Sequence, residues 1–297
     1  MAMHIGHFAQ RVTDLDPAAD HLIRVLGLRV RERDDSQVLL TSNDKHHEVQ
    51  LILDDRPGFD HLGLEVESED ELARVQAAAE AFGARVLGSS QEPGIAASVR
   101  IAGPADLLVE VYVGMERDAP SLATSPLRSG IRKLGHLTFM SEARDELERF
   151  WREALGFRVS DIDGPLTWLR CDADHHGLAV GPSPAGSLLH HHAWEVQDMS
   201  ALAKHADAMA RQDIPLVWGP VRHGPGFNLS TYLETTGGGL IEVCCDLARI
   251  DDEASYRPMD WSANDRSINL WGPPPPETFL AYGTPVLPPV GAAEVTP

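Results

Sequence analysis

The sequence predicts an α+β protein of two similar domains assembled from four βαβββ modules, and three observations carry that expectation. HIGHFAQRV, a helical stretch and VLGLRV near residue 4 are answered near residue 133 by KLGHLTFMS, a helical stretch and ALGFRVS. Each half is itself doubled, because FDHLGLEVES at 59–68 resembles HHHAWEVQD at 190–198, and both lead into a helix followed by strands. Strand periodicity is plain in LLVEVYV, where Val109, Val111 and Val113 share one face and Leu108, Glu110 and Tyr112 the other.

The helices carry their own punctuation. Asp16 and Pro17 read as an N-cap and first-turn proline, with Gly27 as the stop after Leu22, Val25 and Leu26. Ser68 and Glu71 form a capping box, Leu72, Val75 and Phe82 an apolar stripe, and Gly83 its end. Ser141 opens a third helix with the stripe Leu147, Phe150, Trp151 and Leu155, closed by Gly156. A fourth is expected from about Ser200 to Gln212, before Pro215. The stretch from Glu116 to Gly130, with ERDAPSLATSP, reads as a linker, which places domains at 1–117 and 131–250. Beyond 250 the periodicity fades. The tail, 251–297, contains WGPPPPETF, too rich in proline for a helix or central strand, and is expected to wrap over the second half as a lid.

Composition narrows the partners. The 297 residues are 43% hydrophobic, enough for a full core, and 45 acidic against 25 basic residues give a net charge of −20. A phosphate backbone or an anionic membrane is repelled by such a surface, so neither nucleic acid nor membrane is expected as a partner. The first residues enter a strand pattern without a basic leader or a long apolar run, and a cytoplasmic location is the expectation. Cys171, Cys244 and Cys245 are odd in number and two are adjacent, a poor disulfide framework.

Six polar residues of the second half stand out in order: His136, His176, His191, His223, Tyr232 and Glu242. Two imidazoles and a carboxylate on separate strands can cap one face of a divalent metal and leave the opposite positions open. With their flanks, GHLTF, RCDADHHGLAV, LHHHAWEV, GPVRHGPG, STYLE and LIEV, they resemble the type I extradiol catechol dioxygenases of the vicinal oxygen chelate superfamily. Dihydroxybiphenyl dioxygenases are the most similar branch. Separations of 15 residues from His176 to His191, 9 from His223 to Tyr232 and 10 from Tyr232 to Glu242 agree with the pattern.

The resemblance implies that each domain's paired modules form an incomplete barrel, with catalysis in the second half. It implies that His136, His191 and Glu242 bind Fe(II), with Mn(II) as the alternative. His176, His223 and Tyr232 would handle protons, and Thr138, Trp168, Pro225 and Phe227 would lie near the substrate ring in an apolar pocket. The reaction implied is insertion of both atoms of O2 into a catechol next to the diol, in aromatic-compound degradation, by a homo-oligomer. Strand parity agrees for Glu242, which shares a face with Leu240. His192 stands where the family has an apolar residue and is an alternative ligand to His191. His175 is expected in a supporting position, and His4, His21, His46, His47 and His205 as ordinary surface or core residues.

In the first half His7, His61 and Glu110 occupy the positions equivalent to His136, His191 and Glu242, so a second metal triad is conceivable. SSQEPGIAASVRIAG offers no histidine or tyrosine to match His223 and Tyr232. The first half is therefore expected to be non-catalytic, its triad empty or hydrogen-bonded internally. Two rival functions remain at this level: a glyoxalase-type metal-dependent lyase, which favours two carboxylate ligands, and a non-catalytic ligand-binding protein of the same fold.

Overall fold

The structure is a computed structural model that describes residues 3–119 and 130–289. Its first half runs β1 (Met3–Val12), α1 (Leu15–Leu26), β2 (Arg29–Arg33), β3 (Gln37–Thr41), β4 (Val49–Leu53), β5 (Gly58–Val66), α2 (Glu69–Phe82), β6 (Arg85–Gly88), β7 (Ile95–Ala102) and β8 (Leu108–Met115). The second repeats it as β9 (Ile131–Ser141), α3 (Arg144–Arg149), β10 (Arg158–Asp163), β11 (Leu166–Arg170), β12 (Leu178–Pro182), β13 (Leu188–Val196), α4 (Met199–Ala210), β14 (Trp218–Arg222), β15 (Leu229–Glu234) and β16 (Leu240–Cys245). Two short tail strands follow, β17 (Met259–Asp260) and β18 (Thr284–Pro285).

The duplication is exact in topology. The first sheet has the order β2-β3-β4-β1-β5-β8-β7-β6, and the second has the equivalent order β10-β11-β12-β9-β13-β16-β15-β14, extended by β17 on β10 and β18 on β13. Both sheets are open at their ends. In each, an antiparallel central pair, β1 with β5 or β9 with β13, is flanked by parallel neighbours, so the first strands of two modules meet at the middle.

Local chemistry explains the helix ends. Asp14, not Asp16, caps α1: its side chain accepts from the Asp16 amide, and Asp16-Pro17 falls inside the first turn. The Ser68 cap is as expected, with Gly83 left-handed at φ 94° after α2. The third helix departs from a simple stripe. Ser141 ends β9, and α3 widens into a π turn over Phe150–Ala154 that buries Phe150 and Trp151. Phe150 meets Phe82 of α2 at 5.9 Å between ring centres, so this helix closes the first half's core as well as its own. One apolar cluster runs through both halves. All three cysteines are free and buried, and no helix among the described residues is long and apolar enough to cross a membrane.

Glu48 ties the halves together by hydrogen bonds. Wholly buried, it accepts from the Ser42 amide and hydroxyl and from Asn43 Nδ2, all local, and from the Leu134 amide of β9 at 2.9 Å. Removing it strands four buried or half-buried donors at once. Glu48→Ala is therefore expected to lower unfolding free energy by about 3 kcal/mol, read as a drop in the urea midpoint at unchanged m-value; a midpoint equal to that of the parent would show that these donors find other partners.

Candidate metal centre

The second-half centre is built on one row of residues crossing three strands. His136 on β9 lies opposite Ala193 on β13, and Ala193 lies opposite Glu242 on β16. Directly paired residues point to the same face, as does His191, two residues before Ala193. The small Ala193 side chain lets its two neighbours lean together over it. His136 Nε2 and His191 Nε2 each come to 3.1 Å from Glu242 Oε2. The other oxygen, Oε1, accepts from Asn228 Nδ2 at 2.8 Å and Ser230 Oγ at 2.5 Å, which fixes the carboxylate with one oxygen aimed at the imidazoles. Burial alone would raise the Glu242 pKa, but the two imidazoles outweigh it and hold the carboxyl well below its usual range. His192, on the opposite face, is not a ligand candidate: it packs on Phe8 and accepts from Trp194 Nε1 at 2.8 Å in the core.

Hydrogen bonds outside the centre set its tautomers. His190 Nε2–H donates to the Phe279 carbonyl at 2.8 Å, leaving its Nδ1 to accept from His191 Nδ1–H at 2.7 Å. The lone pair of His191 is thereby placed on Nε2, facing a carboxylate oxygen. Two lone-pair carriers opposed at 3.1 Å call for a cation between them, and a two-histidine, one-carboxylate set fits a divalent metal with open positions.

A second relay serves His176. Asp161 Oδ2 accepts from His175 Nε2 at 3.2 Å, and His175 Nδ1 accepts from His176 Nδ1–H at 3.0 Å, leaving His176 Nε2 unprotonated. Burial, with His136 and His175 nearby, pushes the His176 pKa well down and keeps it neutral. Its ring lies 4.4 Å from that of His136. In a third relay His223 Nδ1–H donates to the Ile268 carbonyl at 2.6 Å, so its Nε2 accepts from the Tyr232 hydroxyl at 2.9 Å.

All six residues line one cavity of about 90 Å³. Thr138, Trp168 and Pro225 line it too, and the Thr138 hydroxyl is 2.9 Å from His191 Nε2. Phe227 does not. It is 45% exposed, its backbone is left-handed at φ 55°, and its ring turns out against Trp261. Met140, Leu166, Trp218 and Ala179 complete an apolar wall, and the tail adds Ile268, Phe279 and Leu280.

Ser230 and Asn228 were detectable from sequence, because they alternate with Tyr232 on the face that carries it. The tail carbonyls were not, since nothing in a proline-rich segment announces which main-chain oxygen meets an imidazole.

In the first half the expected triad comes together with more than was expected. His7, His61 and Glu110 are joined by Glu92, all four buried and with ligand atoms within 4.8 Å of one another. His47, read as an ordinary residue, belongs to this cluster, its Nε2 being 3.5 Å from Glu92 Oε1. The signal was present: SNDKHHEV repeats CDADHHGL, which makes His47 the counterpart of His176.

The glyoxalase/bleomycin resistance protein/dioxygenase superfamily model matches residues 4–111 and 133–243. The chain is 25% identical to an iron-dependent extradiol dioxygenase of Rhodococcus jostii over 90% of its own length and 95% of that protein's. It is 32% identical to metapyrocatechase 2 of Cupriavidus necator, over 50% of this chain and 47% of that one. Among solved structures, a Mn(II)-bound glyoxalase from Novosphingobium aromaticivorans superposes with a TM-score of 0.80 at 26% identity, covering 93% of each chain.

The His190 relay gives a test that leaves every ligand in place. His190→Ala should weaken divalent-metal binding about 10- to 100-fold, the usual loss when a ligand's outer partner is removed. Competition with a fluorescent chelator measures it, and affinity equal to the parent's would mean His191 holds its tautomer unaided.

Proposed function

The chain belongs to the glyoxalase/bleomycin resistance protein/dioxygenase superfamily, and from that membership we propose that its second half performs extradiol cleavage of a catechol by O2. It is an enzyme of the catechol 2,3-dioxygenase type, a reading supported by its full-length likeness to an iron-dependent extradiol dioxygenase. One observation carries it at the level of residues: His136, His191 and Glu242 converge at one wall of an apolar cavity into which His176, His223 and Tyr232 also project.

Fe(II) or Mn(II), when bound by His136, His191 and Glu242, supplies the Lewis acidity and the electronic coupling between catechol and dioxygen. The chain's own residues manage the protons. A catechol bound in this cavity would have to shed at least one proton, and the Tyr232 hydroxyl oxygen is free to accept it because its own proton points to His223 Nε2. Passing the Tyr232 proton on leaves His223 charged and both groups able to donate to the substrate oxygens. His176, neutral with its Nε2 free, can take a proton and return it to the oxygen that becomes negative as dioxygen attacks the ring. The bond next to the diol then breaks, and both oxygen atoms end in a muconic semialdehyde-type product. Apolar walls and the tail's Phe279 and Leu280 limit water at the reacting face.

The Mn(II)-bound glyoxalase among the structural relatives gives the lyase reading its specific support. That chemistry favours a second carboxylate ligand, and the second-half donor set contains Glu242 alone among the described residues. Anaerobic metal loading, followed by parallel assays on a catechol panel in air and on a glutathione hemithioacetal, separates the two. The yellow ring-cleavage product is expected from the first and no turnover from the second.

Within this reading His176 acts on oxygen and not on catechol binding. His176→Phe should leave metal content and anaerobic catechol affinity close to the parent's and lower turnover about 10²- to 10⁴-fold, with Tyr232→Phe milder. Loss of catechol binding in His176→Phe, with the residual complex reacting with oxygen at the parent rate, would sink this division of roles.

A further inference from the structure

The geometry points to a second, closed metal site in the first half, holding a zinc-like divalent ion through His7, His61, Glu92 and Glu110 in a structural role. It is a site separate from the catechol centre and does not depend on the reading given to that centre.

The same three-strand row is present. His7 on β1 lies opposite Gly63 on β5, and Gly63 opposite Glu110 on β8, as His136, Ala193 and Glu242 do in the second sheet. Glycine is required at this position by close approach: a Cβ on Gly63 would fall 2.1 Å from His7 Cε1. His61, two residues earlier, shares the face. Where Tyr232 pairs with Glu242, Arg100 pairs with Glu110. In the loop before β7, Glu92 supplies a second carboxylate.

The donor atoms are aimed as metal ligands are. His61 Nδ1–H donates to Asp60 Oδ1 at 2.6 Å, and Asp60 is held by Arg11, which leaves the His61 lone pair on Nε2. That nitrogen lies 3.3 Å from His7 Nε2 and Glu92 Oε2, and 3.6 Å from Glu110 Oε2. His7 Nε2 lies 3.3 Å from Glu92 Oε1 and 3.7 Å from Glu110 Oε2. Ser90 anchors Glu110 Oε1, as Ser230 anchors Glu242 Oε1, so Oε2 again faces the imidazoles.

Four ligands at about 2.0–2.1 Å around a tetrahedral ion stand about 3.4 Å apart, against about 3.0 Å for adjacent octahedral positions. The first-half separations run from 3.3 to 3.7 Å, with Glu92 Oε1 facing His7 and Oε2 facing His61.

Glu92 Oε1 and Glu110 Oε2 are buried with no hydrogen-bond partner. A divalent cation would contact all four groups. His7, His61 and Glu110 are 0% exposed and Glu92 6%, so no position is open to substrate and the ion would join two modules without reacting.

The test uses the full chain carrying Glu242→Ala, which disables the other centre, stripped with EDTA and titrated with Co(II) and then Zn(II). One Co(II) per chain with the intense visible absorption of four-coordinate cobalt, displaced by one Zn(II), is the expected result. Adding Glu92→Gln should abolish that uptake, with far-UV circular dichroism confirming the fold. In the otherwise unaltered chain, elemental analysis should find zinc beside iron or manganese. If the folded Glu242→Ala chain takes up neither ion, or binds cobalt with only a weak six-coordinate spectrum, or keeps full uptake with Glu92→Gln, the assignment is overturned. Should Glu92→Gln fail to fold, the stoichiometry and spectrum of Glu242→Ala decide alone.

Discussion

Everything at the candidate centre depends on the register between the central strands β9 and β13. That pairing sets His136 opposite Ala193, and the parallel pairing of β13 with β16 sets Ala193 opposite Glu242. A slip of one residue would send His191 into the core and bring His192 to the cavity, because successive side chains alternate faces. The register is held by burial on the far side. Trp194 and Val196 share the face of His192 and are buried in the common core, where a polar substitute would cost more than the centre could return. His192 itself is accommodated there because Trp194 Nε1 donates to it, and burial drives its pKa to about 3, keeping it uncharged.

Two residues of the same type, adjacent in sequence, thus come to opposite roles through strand parity. The histidine pairs at 175–176 and 190–191 use another device. The outer ring is anchored by an acceptor, Asp161 or the Phe279 carbonyl, and transmits a choice of tautomer to the inner ring through paired Nδ1 atoms. The pair at 46–47 repeats the contact at 3.1 Å with Glu32 as the outer partner at 3.5 Å. An inner imidazole so held presents Nε2 with its lone pair free, whichever chemistry lies in front of it.

The fold was legible because the duplication shows in short strings that carry the strand and helix signals together, and the apolar alternation of each strand survives in both copies. The six second-half residues were legible because, with their flanks, they resemble the motifs of a known family, and the structure gathers them around one cavity. What escaped was fine backbone conformation and the reach of the tail. Phe227 sits next to cavity residues, yet two successive left-handed residues, Gly226 and Phe227, turn its ring outward. Asp14 displaced Asp16 as the cap because α1 starts two residues before the Asp16-Pro17 signal suggests. The tail's reach was also hidden: besides covering the second half, it bonds the Leu287 amide to the Phe59 carbonyl on β5.

The two halves show how little is needed to turn one scaffold from an open centre to a closed one. At the position paired with the carboxylate, Tyr232 leaves a small, neutral hydroxyl at a cavity wall, whereas Arg100 carries a charge toward Glu92 and Glu110. In the loop before the same strand, His223 stands back to meet Tyr232, whereas Glu92 projects among the imidazoles. Beneath them Ala193 is replaced by Gly63, and the missing methyl lets His7 settle lower. Glu92 and Arg100 bring charge to a first-half cluster whose His7, His61 and Glu110 are wholly buried. In the second half His176, His223 and Tyr232 stand around His136, His191 and Glu242 instead of among them, and a cavity remains. Catalytic capacity in this chain is thus a matter of what is kept out of the coordination sphere as much as of what is placed in it.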